Sequence, residues 1–96
     1  MWYVYVLYAQ VSGKTYAGYT NDIARRLVEH NVSETKGFRL RYRPWTLIHT
    51  EPFNTKSEAM AREKFLKTGT GRDQIKLMVI EFLNNNGAVS AAAEKD

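Results

Sequence analysis

The 96-residue chain contains no cysteine. That excludes a disulfide framework and any thiolate metal centre, and it fits a reducing compartment, so a cytoplasmic setting is the expectation. No apolar run approaches the roughly 20 residues needed to cross a bilayer. Met1-Trp2-Tyr3 opens a strand-like pattern in place of a charged leader, so neither export nor a membrane role is expected. Internal repeats are lacking too. With 44% hydrophobic residues, a chain this short can bury one modest core, and a second domain is not expected. Acidic residues are scarce in one half only: residues 1–50 carry seven Lys/Arg against three Asp/Glu, whereas residues 51–96 carry seven of each. The net charge of +4 therefore belongs to the first half, a bias that favours an anionic partner.

What is present reads as a short series of elements. Trp2 to Tyr8 is a run of β-branched and aromatic residues, and Thr15 to Thr20 resumes the same character after a polar stretch, which predicts a hairpin with its loop centred on Ser12-Gly13. Asn21 or Thr20 is expected to cap a helix over about Asp22 to His30, with Ile23 and Leu27 in its apolar stripe. Residues 32–43 are polar and basic. Pro44 introduces a third strand over Trp45 to Thr50, whose extent Pro52 should limit. Thr55 and Glu58 have capping-box spacing and open a second helix to about Lys67, after which Thr68-Gly69-Thr70-Gly71 should break it. A third helix follows on Ile75, Met78, Val79 and Phe82, and Asn84 to Gly87 stops it. The order ββαβαα implies an α+β domain, a three-stranded antiparallel sheet flanked by three helices, over residues 1–84, with residues 85–96 as a loose tail.

Certain residues stand out from this scaffold. Tyr5 in Tyr3-Val4-Tyr5 and Tyr16 in Tyr16-Ala17-Gly18 lie on paired strands, Arg26 and His30 follow on the first helix, and Glu63 comes later in Arg62-Glu63-Lys64. This arrangement resembles the GIY-YIG nuclease family over about residues 2–80, and within it the short stand-alone members related to the N-terminal domain of the excinuclease C subunit. Tyr3 stands where the first motif has Gly, and Ala17 where the second has Ile; neither change removes a polar group. The resemblance implies a nuclease in which Glu63 binds a divalent metal, Mg²⁺ or Mn²⁺, and Tyr5 acts as general base, with Tyr16 orienting the water or the phosphate.

The residues can also be read on their own terms. Two strand tyrosines facing each other are ordinarily a packing pair, and the downstream Arg, His and Glu are what point elsewhere. Helical geometry puts Ile23 and Leu27 at the core, Arg26 and His30 together on one flank, and Arg25 and Glu29 outward. A guanidinium at a core edge can grip a phosphate through two nitrogens and offset charge that builds on it. His30 could bond a phosphate oxygen or relay a proton, or serve structure alone. Glu63 shares a helical stripe with Ala59 and Leu66, so its carboxylate sits on a core-facing surface and needs compensation, either from a metal ion or from an ion pair with Arg26 or Lys14. Lys14, two residues before Tyr16 on the same strand face, could also lower a tyrosine pKa.

Around this set lie residues suited to phosphate contact. Lys36, Arg39, Arg41, Tyr42 and Arg43 interleave cations with an aromatic ring, and Arg72 follows the second glycine of the break. The function expected is a metal-dependent DNA endonuclease of repair or recombination; the alternative is a nucleic-acid-binding module of the same fold without activity. DNA is the expected partner, together with a homodimer mate or a separate targeting protein.

Overall fold

A computed structural model of the chain describes residues 1–33 and 42–87. Strands β1 (Trp2–Ala9), β2 (Lys14–Thr20) and β3 (Thr46–Phe53) form one antiparallel sheet in the order β2-β1-β3. Helix α1 (Ile23–Val28) follows the hairpin, and α2 (Lys56–Leu66) and α3 (Gly69–Phe82) follow β3. The α+β class and the ββαβαα order are those expected from the sequence. Among the described residues no helix is long and apolar enough to cross a membrane.

The hairpin closes where Gly13 N–H donates to the Ala9 carbonyl at 2.8 Å, with Gly13 at φ +76°, a conformation that costs glycine nothing. Strand alternation then divides β1 between two cores. Val4 and Val6 face α2 and α3 in a cluster with Ala17, Ala59, Leu66 and Ile75, while Tyr5, Leu7 and Ala9 join Trp45 on the opposite face, with Tyr16 and Leu27 against them.

Several details depart from or add to expectation. Pro52 does not end β3, which continues to Phe53 with Pro52 opposite Tyr3; β3 is an edge strand, so the missing N–H can fall on the unpaired side. The register shifts by one between Val6 and Leu7, where His49 and Leu47 are their partners and Ile48 is the extra residue of a bulge. The cap of α1 is Asp22, whose carboxylate accepts from Arg25 N–H at 3.0 Å, and α1 stops at Val28, with residues Glu29–Ser33 forming a π-helical turn that carries His30. Finally, α3 begins at Gly69 directly after the Thr68 cap, so Gly69 and Gly71 lie inside the helix. A side chain at Gly71 would run into the Phe65 carbonyl and the Leu66 backbone, so the second glycine sets how closely α3 starts against α2 and is not a breaker. The capping box of Thr55 and Glu58 is formed as expected. Beyond Phe82 the chain makes a further π-helical turn, Leu83–Gly87; the remainder of the expected tail lies outside the described residues.

Candidate active site

The Tyr5 hydroxyl is the centre of the site. Tyr5 is paired with Gly18 across the hairpin, and a Cβ at Gly18 would come within 2.5 Å of that hydroxyl, so the glycine provides the room the phenol occupies. From the other side His30 Nε2 lies 2.8 Å from the hydroxyl, and Arg26 Nε donates to it at 3.3 Å. Two residues four apart on one flank thus converge on a single oxygen, the i, i+4 relation carried across the change from α-helix to π-turn. His30 is fully buried, with its ring edge-on to Tyr16 at 5.0 Å and to Tyr5 at 5.7 Å between centroids.

Arg26 is oriented from behind. Its Nη1 donates to Glu29 Oε1 at 2.8 Å, a closer contact than the 4.0 Å between Arg25 and Glu29. Burial works to lower the Arg26 pKa, but the hydrogen bond to Glu29 and the neighbouring Tyr5 outweigh it, and the guanidinium stays charged at every accessible pH. Arg26 in turn holds the Glu29 carboxyl below its usual range.

An open cleft of about 540 Å³ runs over the outer edge of β2, with Tyr5, Tyr16, Gly18 and Arg26 on one side and Glu63 of α2 on the other. Arg25 and Lys56 also line it. The Glu63 side chain is 18% exposed, on the stripe of Ala59 and Leu66 as read from the sequence, but its partner is Lys67 at 2.7 Å, one turn further along α2, and neither Arg26 nor Lys14. Lys67 in addition stands over the Tyr16 ring, 5.9 Å from its centroid.

Four sequence candidates therefore share this cleft, and His30 backs it. The rest fall elsewhere. Lys14 places its ammonium over the Tyr42 ring at 5.7 Å, and both Lys14 and Arg72 line a separate groove. Arg43 donates to the carbonyls of His30 and Glu29 at 2.6 and 3.4 Å, securing the π-turn at the end of α1. Lys36, Arg39 and Arg41 lie outside the described residues. Two contributors gave no signal as site residues: Glu29, placed outward with Arg25 by helical phase, and Asn31, whose amide clamps Trp45 by accepting from its N–H at 2.7 Å and donating to its carbonyl at 3.0 Å. A lone asparagine after a helix resembles any helix end. Gly18 was visible within the second tyrosine motif.

Among the described residues no three His, Asp or Glu side chains group as a metal cage. Two carboxylates line the cleft, Glu29, which is held by Arg26, and Glu63 on the opposite side; Glu63 offers a hard oxygen donor there, which fits a Mg²⁺-type ion that keeps several waters and shares substrate phosphate oxygens.

Paired tyrosines on a hairpin, arginine and histidine on the next turns, and a carboxylate on the helix after the third strand form a site of the GIY-YIG kind. The chain belongs to the GIY-YIG family, whose catalytic domain matches residues 1–76; membership implies nuclease activity in general terms. A UPF0213 protein of Halobacterium salinarum is 45% identical over 67 residues, covering 70% of this chain and 86% of that one. One of Staphylococcus saprophyticus is 36% identical over 76 residues, covering 79% and 92%. The solution NMR structure of a UPF0213 protein from Bacillus halodurans aligns over 81% of this chain and 85% of that one, at 32% identity and a TM-score of 0.49.

Proposed function

We propose that the protein is a divalent-metal-dependent endonuclease that hydrolyses DNA phosphodiester bonds in repair or recombination, acting in the cytoplasm, with residues 1–84 as its catalytic unit. The observation that carries this reading is the Tyr5 hydroxyl at the cleft wall, in contact with both His30 Nε2 and Arg26 Nε. A phenol with a pKa near 10 is a poor base at neutral pH unless its own proton has somewhere to go. The buried imidazole is that destination. As water attacks phosphorus, the Tyr5 oxygen takes a water proton while the phenolic proton passes to His30 Nε2. The bond from phosphorus to the leaving oxygen breaks, and that oxygen is protonated from solvent in the open cleft.

Arg26, fixed by Glu29, binds the phosphate and offsets the charge that accumulates on it; Tyr16 borders the same space and orients the water or the phosphate. Glu63 would hold Mg²⁺ or Mn²⁺, which when bound supplies Lewis-acid stabilisation of the phosphate. Arg25, Arg26 and Lys56 around the cleft support a polyanionic substrate.

Purified protein is expected to nick supercoiled plasmid or a branched DNA with Mg²⁺ or Mn²⁺ only. Glu63→Ala should abolish cleavage and retain DNA binding. Metal-independent cleavage, or full activity in that variant, would overturn the role of Glu63; salt-sensitive binding with no cleavage of any substrate would leave a binding module.

A further inference from the structure

Among the described residues, a cavity larger than the active-site cleft lies away from the Tyr5 hydroxyl. A groove of about 890 Å³ runs between β2 and α3, and its rim carries Lys14, Lys67, Arg72 and Lys76. Among the described residues no carboxylate lines it, and neither Arg72 nor Lys76 has an acidic partner. The two cations on α3 are four residues apart, hence on one helix face, and between them and β2 the floor is apolar, made by Ile75, Val79 and Ile80. Ile80 is 53% exposed, a large aliphatic surface left in water.

A cationic rim over an apolar floor suits a ligand that presents regularly spaced anions on one side and flat apolar faces on the other. The groove adjoins the active-site cleft at Tyr16, which lines both, and Lys67, which lines the groove, is ion-paired to Glu63, which lines the cleft. We propose that this groove is a second nucleic-acid subsite, holding the strand that flanks the scissile phosphate, with Arg72, Lys76 and Lys14 on its phosphates and Ile80 and Val79 against its sugars and exposed base faces. The assignment rests on the nuclease reading, since it takes the polymer lying in the cleft and follows it past Tyr16. Lys67 stands at the divide, able to serve either Glu63 or the flanking phosphate.

The test separates binding from cleavage. A fluorescein-labelled single-stranded 20-mer, the form that offers base faces to the floor, is titrated in EDTA with wild type, Arg72→Ala/Lys76→Ala and Lys64→Ala. Lys64 is an exposed cation of α2 that lines neither cavity. The double variant should bind roughly tenfold more weakly at 0.1 M salt, with the slope of log K on log salt reduced by about 1.4, as two lost single-strand phosphate contacts require. Lys64→Ala should change affinity less than twofold. Ile80→Ser, which keeps every charge, should weaken binding without altering the slope. Equal binding by the double variant and Lys64→Ala overturns the subsite, while Mg²⁺-dependent plasmid nicking by the wild type would leave the nuclease reading standing. A wild type that neither binds nor nicks sinks both. Groove-dependent binding of labelled polyglutamate, with the oligonucleotide indifferent to the same substitutions, would overturn the subsite in favour of an acidic protein partner.

Discussion

Val4 and Val6 meet an aliphatic cluster of Ala17, Ala59, Leu66 and Ile75, whereas Tyr5, between them in the same strand, meets aromatic rings, a buried histidine and an arginine. The first face gains its stability from apolar area removed from water, and its side chains are interchangeable with others of like volume. The second face spends part of its interior on polar groups, each needing a partner in a set geometry. One strand thus separates anchoring from chemistry by alternation alone. The separation implies that substitutions on one face should move stability and substitutions on the other should move cleavage.

Tyr5→Phe tests the polar face most directly. It keeps the ring and its packing but removes the oxygen that His30 and Arg26 share, so cleavage should fall by about 10²–10⁴-fold. The loss in urea stability should be only about 1–2 kcal/mol, the cost of a buried acceptor without its donor. Plasmid nicking and urea midpoints measure the two effects, and retention of cleavage would break the comparison. Leu66→Ala is its mirror image. Leu66 is fully buried in the aliphatic cluster, so the change should cost about 3–4 kcal/mol in urea unfolding while the rate per folded molecule stays within a few-fold.

Gly18→Ala lies where the division is sharpest. The added methyl would approach the Tyr5 hydroxyl at 2.5 Å and its ring carbon Cζ at 2.7 Å, displacing the phenol from His30. A stability cost of about 1–3 kcal/mol is expected from overpacking. Cleavage should drop about 10²-fold, as an ångström of misplacement commonly costs. Normal activity in this variant would mean that the Tyr5 position is not critical.

The legible parts of the sequence were those with short-range causes. The β-branched and aromatic runs of Trp2 to Tyr8 and Thr15 to Thr20 located the hairpin, the Thr55/Glu58 spacing located the start of α2, and helical phase placed Arg26 rather than Arg25 beside His30. What was hidden depends on long-range partners. Pro52 reads as a terminator unless β3 is known to be an edge strand. Gly71 reads as a breaker unless the Phe65 carbonyl is known to press against it. Likewise the Glu63–Lys67 pair follows from simple i, i+4 spacing, yet the core-facing stripe drew attention to more distant cations instead. The basic run before Pro44 shows the same limit at Arg43, which secures the turn carrying His30.

The smallest expected effect concerns how the anchoring face is itself tied together by charge. Glu51 on β3 accepts from Arg62 Nε at 2.8 Å and Nη2 at 3.1 Å, and its Oε2 lies 2.7 Å from His49 Nε2. Arg62 also donates to Gln74 at 2.9 Å, so one guanidinium links β3, α2 and α3. The hydrogen bonds from Arg62 hold the Glu51 carboxyl below its ordinary value of 4.5, against the opposing effect of burial and with further help from His49. A carboxyl depressed in the folded state contributes stability above its unfolded pKa and loses it as pH falls through the folded value. The contribution should thus be intact above about pH 4.5 and fade below it. Glu29, held low by Arg26, fades in the same window, so the Glu51 share is the difference between wild type and Glu51→Gln. At pH 7 that variant should lose about 1–2 kcal/mol, the scale of a charge-assisted pair partly replaced by a neutral amide. The gap between the two urea midpoints should then close as pH drops below 4.5, with cleavage at neutral pH unchanged. A gap that stays constant across pH would show that packing around the β3 carboxyl, and not its charge, joins α2 and α3 to the sheet.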